Sequence, residues 1–241
     1  MAIVVLKFGG SSVANNERLL SVCNHIIKEH EKNNKVAVVV SAQGDTTDNL
    51  VLEESTITKN PSKREHDVLL STGEQITIAK LTMYLNELGY NAISYTGWQI
   101  PIITDNEFGN ANIMNIKTDK ILKELNNGKI VVIAGFQGIS TNGDITTLGR
   151  GGSDTTAVAI ASYLKADKLY IYTDVDGVYK EDPNINPNAK KIDEISYDEM
   201  IEMSKNGAKV LHTKCVEMAK KNNVPIIVKS TFVDNEGTIV K

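Results

Sequence analysis

An α/β fold built on a largely parallel sheet is what the 241-residue sequence predicts. Short β-branched runs alternate with longer stretches whose apolar residues recur at helical spacing. Each strand run empties into small, hydrogen-bonding residues instead of bulky ones. No internal repeat, low-complexity tract or long linker divides the chain, and at 41% hydrophobic and 23% charged residues it has the composition of an ordinary globular protein with a sizeable core.

Taken in order, Ile3 to Phe8, Val36 to Ser41, Asn91 to Tyr95, Lys129 to Ala134, Lys168 to Thr173 and Pro225 to Lys229 read as buried strands. Between them, Leu19, Val22, Cys23, Ile26 and Ile27 mark one helix and Ile121, Leu122 and Leu125 another. Ile76, Ala79, Leu81, Met83, Leu85 and Leu88 mark a looser one, and Thr155 to Leu164 reads as helical too. Ser196-Tyr197-Asp198-Glu199 has the spacing of a capping box ahead of Met200, Ile201 and Met203, with Gly207 placed to end that helix. The longest linker is the polar stretch Thr58 to Arg64. The segment from Asp176 to Asp193, with Pro183, Pro187 and several Asn, reads as a loop of the kind that sits over ligands.

Several function classes drop out. A net charge of -4 gives no basic field for nucleic acid or anionic lipid. Apolar runs such as Ile130 to Ala134 are too short to span a bilayer, and Met1 leads straight into a strand, so no membrane partner and a cytoplasmic location are expected. Cys23 and Cys215 read as reduced packing residues. His25, His30, His66 and His212 lack metal-ligand spacing, and in "TDVDGVYKED" the glycine comes fourth rather than sixth counting from Asp174, which excludes a calcium loop. No residue is assigned as a direct metal ligand. No Walker A loop, dinucleotide fingerprint or nucleophile elbow occurs.

In a parallel sheet, ligands bind beyond the carboxyl ends of the strands. Those exits are Lys7-Phe8-Gly9-Gly10-Ser11-Ser12, Ser41 to Thr47, Gly135-Phe136-Gln137-Gly138 and Thr173-Asp174-Val175-Asp176-Gly177. "KFGGSS" and "GRGGSD" have the glycines and hydroxyls of phosphate cradles, each beside a cation. Lys7 is placed to meet a phosphoryl oxygen or to snorkel from a strand end. Asp154 is a functional carboxylate or a helix-cap charge, and Arg150 a carboxylate fork or a surface residue. Glu74 is a receptor for an ammonium group or part of a solvated helix face.

Together, "KFGGSSV" (7–13), "VVVSAQGDTTDNL" (38–50), "LLSTGEQ" (69–75), "SYTGWQ" (94–99), "AGFQG" (134–138), "TTLGRGGSDTTAVAIA" (146–161), "YTDVDGVYKEDP" (172–183) and "GAKVLH" (207–212) resemble the catalytic domain of aspartate kinases, in the amino-acid-kinase superfamily. The resemblance runs from Ile3 to about Gly237. It implies a three-layer α/β/α sandwich, with a lobe of about residues 1–145 binding L-aspartate and a lobe of about 146–241 binding ATP. The implied reaction is ATP-dependent phosphorylation of the aspartate β-carboxylate, with Mg²⁺, on the way to lysine, threonine and methionine.

Lys7 and Asp154 are the implied catalytic residues. Ser41, Thr47, Glu74, Arg150 and Ser153 would hold aspartate. Lys7, Gly9, Gly10, Ser11, Thr173, Asp174, Tyr179, Lys209 and Val210 would hold ATP. A homodimer is expected from the same resemblance. The regulatory ACT domains that follow the catalytic region in this family have no counterpart before Lys241, so weak or no inhibition by lysine or threonine is expected, unless an ACT-containing partner acts in trans. Two positions depart from the family pattern: Asn184 stands where arginine is frequent, and Thr213 follows His212 where proline is usual.

Overall fold

The structure is a computed structural model that describes residues 1–181, 186, 188–208 and 210–241. Asp182, Pro183, Asn184, Pro187 and Lys209, all singled out from the sequence, lie outside the described residues. In chain order the elements are β1 (Ile3–Phe8), α1 (Asn16–Glu31), β2 (Lys35–Val40), α2 (Thr46–Ile57), α3 (Lys63–Leu70), α4 (Thr72–Glu87), β3 (Ala92–Tyr95), β4 (Ile102–Thr104), β5 (Ile113–Ile116), α5 (Asp119–Asn126), β6 (Ile130–Ala134), β7 (Gln137–Ser140), β8 (Ile145–Thr147), α6 (Gly152–Leu164), β9 (Lys168–Thr173), β10 (Val178–Tyr179), β11 (Lys191–Ile192), β12 (Glu194–Ile195), α7 (Tyr197–Lys205), α8 (Thr213–Asn222), β13 (Ile226–Ser230) and β14 (Thr238–Val240).

The central sheet runs β12-β14-β13-β9-β1-β2-β6-β3. From β13 to β3 every neighbouring pair is parallel; the one antiparallel pairing in this sheet is β14 against β13. The six predicted strands are this parallel block, each within a residue of its expected ends. Strand side chains alternate between faces. Val5, Val39, Val131 and Ile171 therefore join one apolar core with α5, α6, α7 and α8, while Leu6, Phe8, Val38 and Val132 join another with α1 and α4. Two helix layers thus enclose the sheet.

A second, four-stranded sheet, β5-β4-β7-β8, is absent from the sequence reading. Its strands are three or four residues long and separated by Asp, Asn and Gly, too short to establish a period. Gln137 and Gly138, expected as part of a strand exit, begin β7. Helices α2 and α3 were also not expected, and α3 takes in the end of the predicted linker at Lys63. Helix α2 buries Glu54 alone while Leu52 and Ile57 face outward, so it has no apolar stripe to read. Inside the expected loop at 176–193, β10 pairs antiparallel with β11. The Ser196–Glu199 capping box is present in both directions.

Helix α6 begins at Gly152, three residues earlier than expected, after Gly151 in the left-handed region at φ 73°. Its residues are small or apolar and nearly all buried, which marks a helix enclosed on every side. Both cysteines are free and buried, as expected of packing residues, and burial pushes the Cys23 thiol up to about 12.

Candidate active site

Alternation along β1 puts Lys7 on the same face as Val5, the face covered by α6. There its Nζ lies 2.5 Å from Oδ1 of Asp154, in the first turn of α6. Both residues are buried, Lys7 at 8% and Asp154 at 7% exposure. The contact is an ion pair by distance but is not aligned as a hydrogen bond, so Oδ1 has no hydrogen-bond donor. The start of a helix favours a carboxylate there through its dipole, which adds to the ion pair, while no side-chain cap hydrogen bond closes this helix.

Three glycine approaches shape the surroundings. After β1 the chain makes a 3-10 turn over Gly10–Val13, and Gly44 N–H donates to Gly10 O at 3.0 Å. A Cβ on Gly10 would lie 2.9 Å from Ala42 O, so only glycine lets the exits of β1 and β2 close together. Gly73 likewise admits α4 against Ala42, where an added Cβ would stand 2.8 Å from the Ala42 Cβ. At Gly151 a Cβ would run into the His212 ring, which faces the loop carrying Arg150.

The Gly73 approach brings Glu74 to the end of β2, where its Oε1 accepts from Ala42 N–H at 2.9 Å. Glu74 is 2% exposed, which overturns the solvated helix face as its setting. Its Oε2 is buried without a hydrogen-bond partner. Burial raises the Glu74 carboxyl to about 8, outweighing the opposing pull of the backbone N–H groups. A buried, unpartnered carboxylate oxygen is costly unless a ligand completes it.

Phe136 holds the third wall with a left-handed backbone, φ 68°, which is rare for a bulky residue. Its N–H donates to Thr156 Oγ1 at 3.1 Å and its carbonyl accepts from Leu148 N–H at 2.8 Å, so the conformation is held from both sides. Nearby, Ser153 packs at Gly135, where a Cβ would meet its Oγ at 2.8 Å.

These parts enclose a cavity of about 300 Å³. Lys7, Gly9, Gly10, Ser41, Thr47, Glu74, Arg150, Ser153 and Asp154, all expected from the sequence, line it. Arg150 is exposed at its rim. Ala42, Gly44, Phe136, Gly149 and His212 also line it and were given no role beforehand. Phe136 and His212 lie in the quoted stretches "AGFQG" and "GAKVLH", whereas the contribution of Ala42 is a backbone N–H that no side chain announces.

Ser11, Thr173, Asp174, Tyr179 and Val210 do not line this cavity. Thr173 Oγ1 donates to Asp174 Oδ1 at 3.0 Å, and Tyr179 donates to Asp176 at 2.7 Å. Thr173 and Asp174 lie at the exit of β9, the strand beside β1. A smaller cavity of about 90 Å³ on the α1 side contains the pairs Lys32–Glu29 and Lys28–Asp234. Among the described residues, no group of three or more His, Cys, Asp or Glu is arranged to hold a metal ion, and no helix is long and apolar enough to cross a membrane.

Residues 2–230 match the amino acid kinase family. The chain is 57% identical over its full length to an aspartokinase from Bacillus sp. (strain MGA3), of which it covers 59%. Among solved structures, aspartate kinase from Synechocystis superposes with a TM-score of 0.89 at 47% identity, over 99% of this chain and 40% of that one. E. coli aspartokinase III in complex with aspartate and ADP gives a TM-score of 0.88 at 28% identity, over 99% of this chain and 64% of that one. The chain thus spans about 59% of the length of the curated relatives it matches.

The Glu74 environment makes a stability prediction. The folded chain holds the Glu74 proton up to about pH 8, whereas the unfolded chain releases it near the ordinary 4.5. Between those values the folded state binds the extra proton, so this group's contribution to stability falls as pH rises and is flat above about 8. Glu74→Gln removes that slope. Urea titrations should show the variant gaining on the wild type from pH 4.5 to pH 8, reaching on the order of a few kcal/mol. A difference that does not change with pH would contradict the assignment.

Proposed function

Because the chain belongs to the amino acid kinase family, we propose that it transfers the γ-phosphoryl group of ATP in line to the β-carboxylate of L-aspartate, forming 4-phospho-L-aspartate. The observation that carries this reading is the pairing, in one cavity, of an unpartnered buried Glu74 oxygen with the exposed Arg150 fork and the Lys7–Asp154 pair. An α-amino acid needs a carboxylate for its ammonium and a fork for its α-carboxylate; a phosphoryl group needs a cation. The names of the relatives, and the aspartate and ADP bound to the E. coli structure, support the same choice.

On this reading Glu74 receives the aspartate ammonium and Arg150 its α-carboxylate, with Ser41, Thr47 and Ser153 as hydrogen-bonding neighbours. Lys7 leaves Asp154 for the transferring phosphoryl oxygens, and the backbone at Gly9, Gly10 and Ser11 receives phosphate. Thr173, Asp174, Tyr179, Lys209 and Val210 are assigned to the nucleotide. That division makes residues up to about 145 the aspartate lobe and those from about 146 the ATP lobe. A carboxylate is already a nucleophile at neutral pH, so catalysis reduces to aligning two anions and cancelling their repulsion.

Mg²⁺ would be held chiefly by nucleotide oxygens, with Asp154, the cavity carboxylate beside Lys7, as the side chain that could join them, and when bound it would neutralise phosphate charge. Entry to lysine, threonine and methionine synthesis, a homodimer, cytoplasmic location and an ACT-containing partner in trans belong to the same proposal.

A coupled ADP-release assay with aspartate, glutamate and UMP tests the substrate: turnover is expected with aspartate, and turnover with glutamate or UMP alone refutes the reading. Lys7→Ala should lower kcat by at least about 10²-fold. It also leaves Asp154 buried alone, at about 3–5 kcal/mol, so circular dichroism must accompany the kinetics; wild-type kcat would remove Lys7 from the mechanism.

The raised Glu74 carboxyl adds a pH signature. Ammonium binding needs the carboxylate, so kcat/KM for aspartate should climb with pH and level off near 8. In Glu74→Gln the climb should vanish along with most of the affinity. A wild-type profile that stays flat over about the two units below that value would rule out Glu74 as the ammonium partner.

A further inference from the structure

Asp67 is fully buried on α3, lines neither cavity, and has no part in the chemistry above. Its Oδ2 accepts from Thr147 N–H at 2.8 Å and from Gly109 N–H at 2.9 Å, and its Oδ1 accepts from the Thr147 hydroxyl at 2.7 Å. All three donors are neutral. Taking a carboxylate out of water without a counter-charge is expensive, and a site that does so with every partner fixed is geometrically over-determined.

What these bonds connect gives Asp67 its role. Thr147 ends β8 and is followed directly by the loop Leu148–Gly151 that carries Arg150. Gly109 backs the same loop, its carbonyl lying 3.0 Å from where a Cβ on Gly149 would stand. On the other side, the Asp67 carbonyl accepts from Ser71 N–H at 3.0 Å, and Ser71 is the residue before α4, whose first turn holds Glu74. Gln137 Nε2 donates to Ser71 O at 2.8 Å, fastening that corner to β7. One residue therefore joins the two segments, its main-chain carbonyl on the side that delivers Glu74 and its carboxylate on the side that delivers Arg150.

We propose that Asp67 is a positioning residue that sets the separation of Glu74 from Arg150, and so the fit of the amino acid between them. The proposal rests on the reading of those two side chains as the aspartate site. A carboxylate accepts from all three donors at once; an amide would have to reverse the Thr147 hydroxyl bond and would bury a second N–H with no acceptor. Among the described residues, the phosphate-facing groups Lys7, Gly9, Gly10 and Asp154 make no hydrogen bond to Asp67.

Asp67→Asn in the full 241-residue chain should raise KM for aspartate by about 10- to 100-fold with KM for ATP unchanged. Hydrogen exchange at the amides of residues 148–152 should quicken in the same variant, with or without substrates. Should Asp67→Asn fail to fold, Thr147→Val, which deletes one donor and keeps the shape, should raise KM for aspartate alone by about 3- to 10-fold. An unchanged KM for aspartate in a folded variant, or an equal loss against both substrates, overturns the proposal. A wild-type chain inactive on aspartate refutes the proposed reaction instead. In that case exchange decides on Asp67, quicker amides supporting its hold on the loop and unchanged ones overturning it.

Discussion

The contact between Lys7 and Asp154 is the constraint around which the rest of the site is arranged. An opposite pair this deeply buried is tolerable only if both groups are held in register, since either alone would be a charge stranded in a low-dielectric interior. β1 supplies one partner without choice: the alternation that buries Val4, Leu6 and Phe8 on one face obliges Lys7 to face α6. α6 supplies the other with equal rigidity, because a helix buried on nearly every side has no solvent-facing side to roll toward. The chain must then deliver the start of α6 to the end of β1. It does so through Gly149 and Gly151, both with left-handed backbones.

Around that fixed pair the cavity collects features that cost stability. Glu74 has one oxygen unanswered, and Phe136 holds a backbone that side chains of its size avoid. Neither would persist on a soft scaffold. The two apolar cores on either face of the parallel sheet are what hold them, together with short backbone approaches at Gly10, Gly73 and Gly135 that leave no room to relax. Locally unfavourable groups held by a rigid surround are the usual signature of a site whose partners arrive with the ligand.

How far the sequence could be read follows from which physics leaves a local trace. The parallel block was legible because each strand is buried on both faces and so appears as a continuous β-branched run, as at Val36–Val40 and Ile130–Ala134. Lys7, Glu74, Arg150 and Asp154 were legible as charges out of place beside glycines. The second sheet was not, because strands as short as Ile102–Thr104 and Ile145–Thr147 show no period. Helix α2 was not, because it has no buried stripe. Asp67 gave no signal either: in sequence it is one acid in "KREHDVLL", and only the fold brings it to Thr147 and Gly109, 80 and 42 residues away.

The two helix layers give the cavity its asymmetry. α6, on one face of the sheet, presents a carboxylate that already has its cation; α4, on the other, presents the Glu74 carboxyl, which has none. A ligand with a single charge could satisfy only half of this arrangement. An anion alone would compete with Asp154 for Lys7 and leave Glu74 as it was, while an ammonium alone would complete Glu74 and leave the Lys7–Asp154 pair undisturbed. On the proposed reading, a zwitterion and a polyphosphate together would answer both layers at once, the ammonium completing Glu74 as phosphate draws Lys7 away from Asp154. The carboxyl ends of the central strands β1 and β2 are where those two exchanges would meet, and the Gly10 approach closes those ends together.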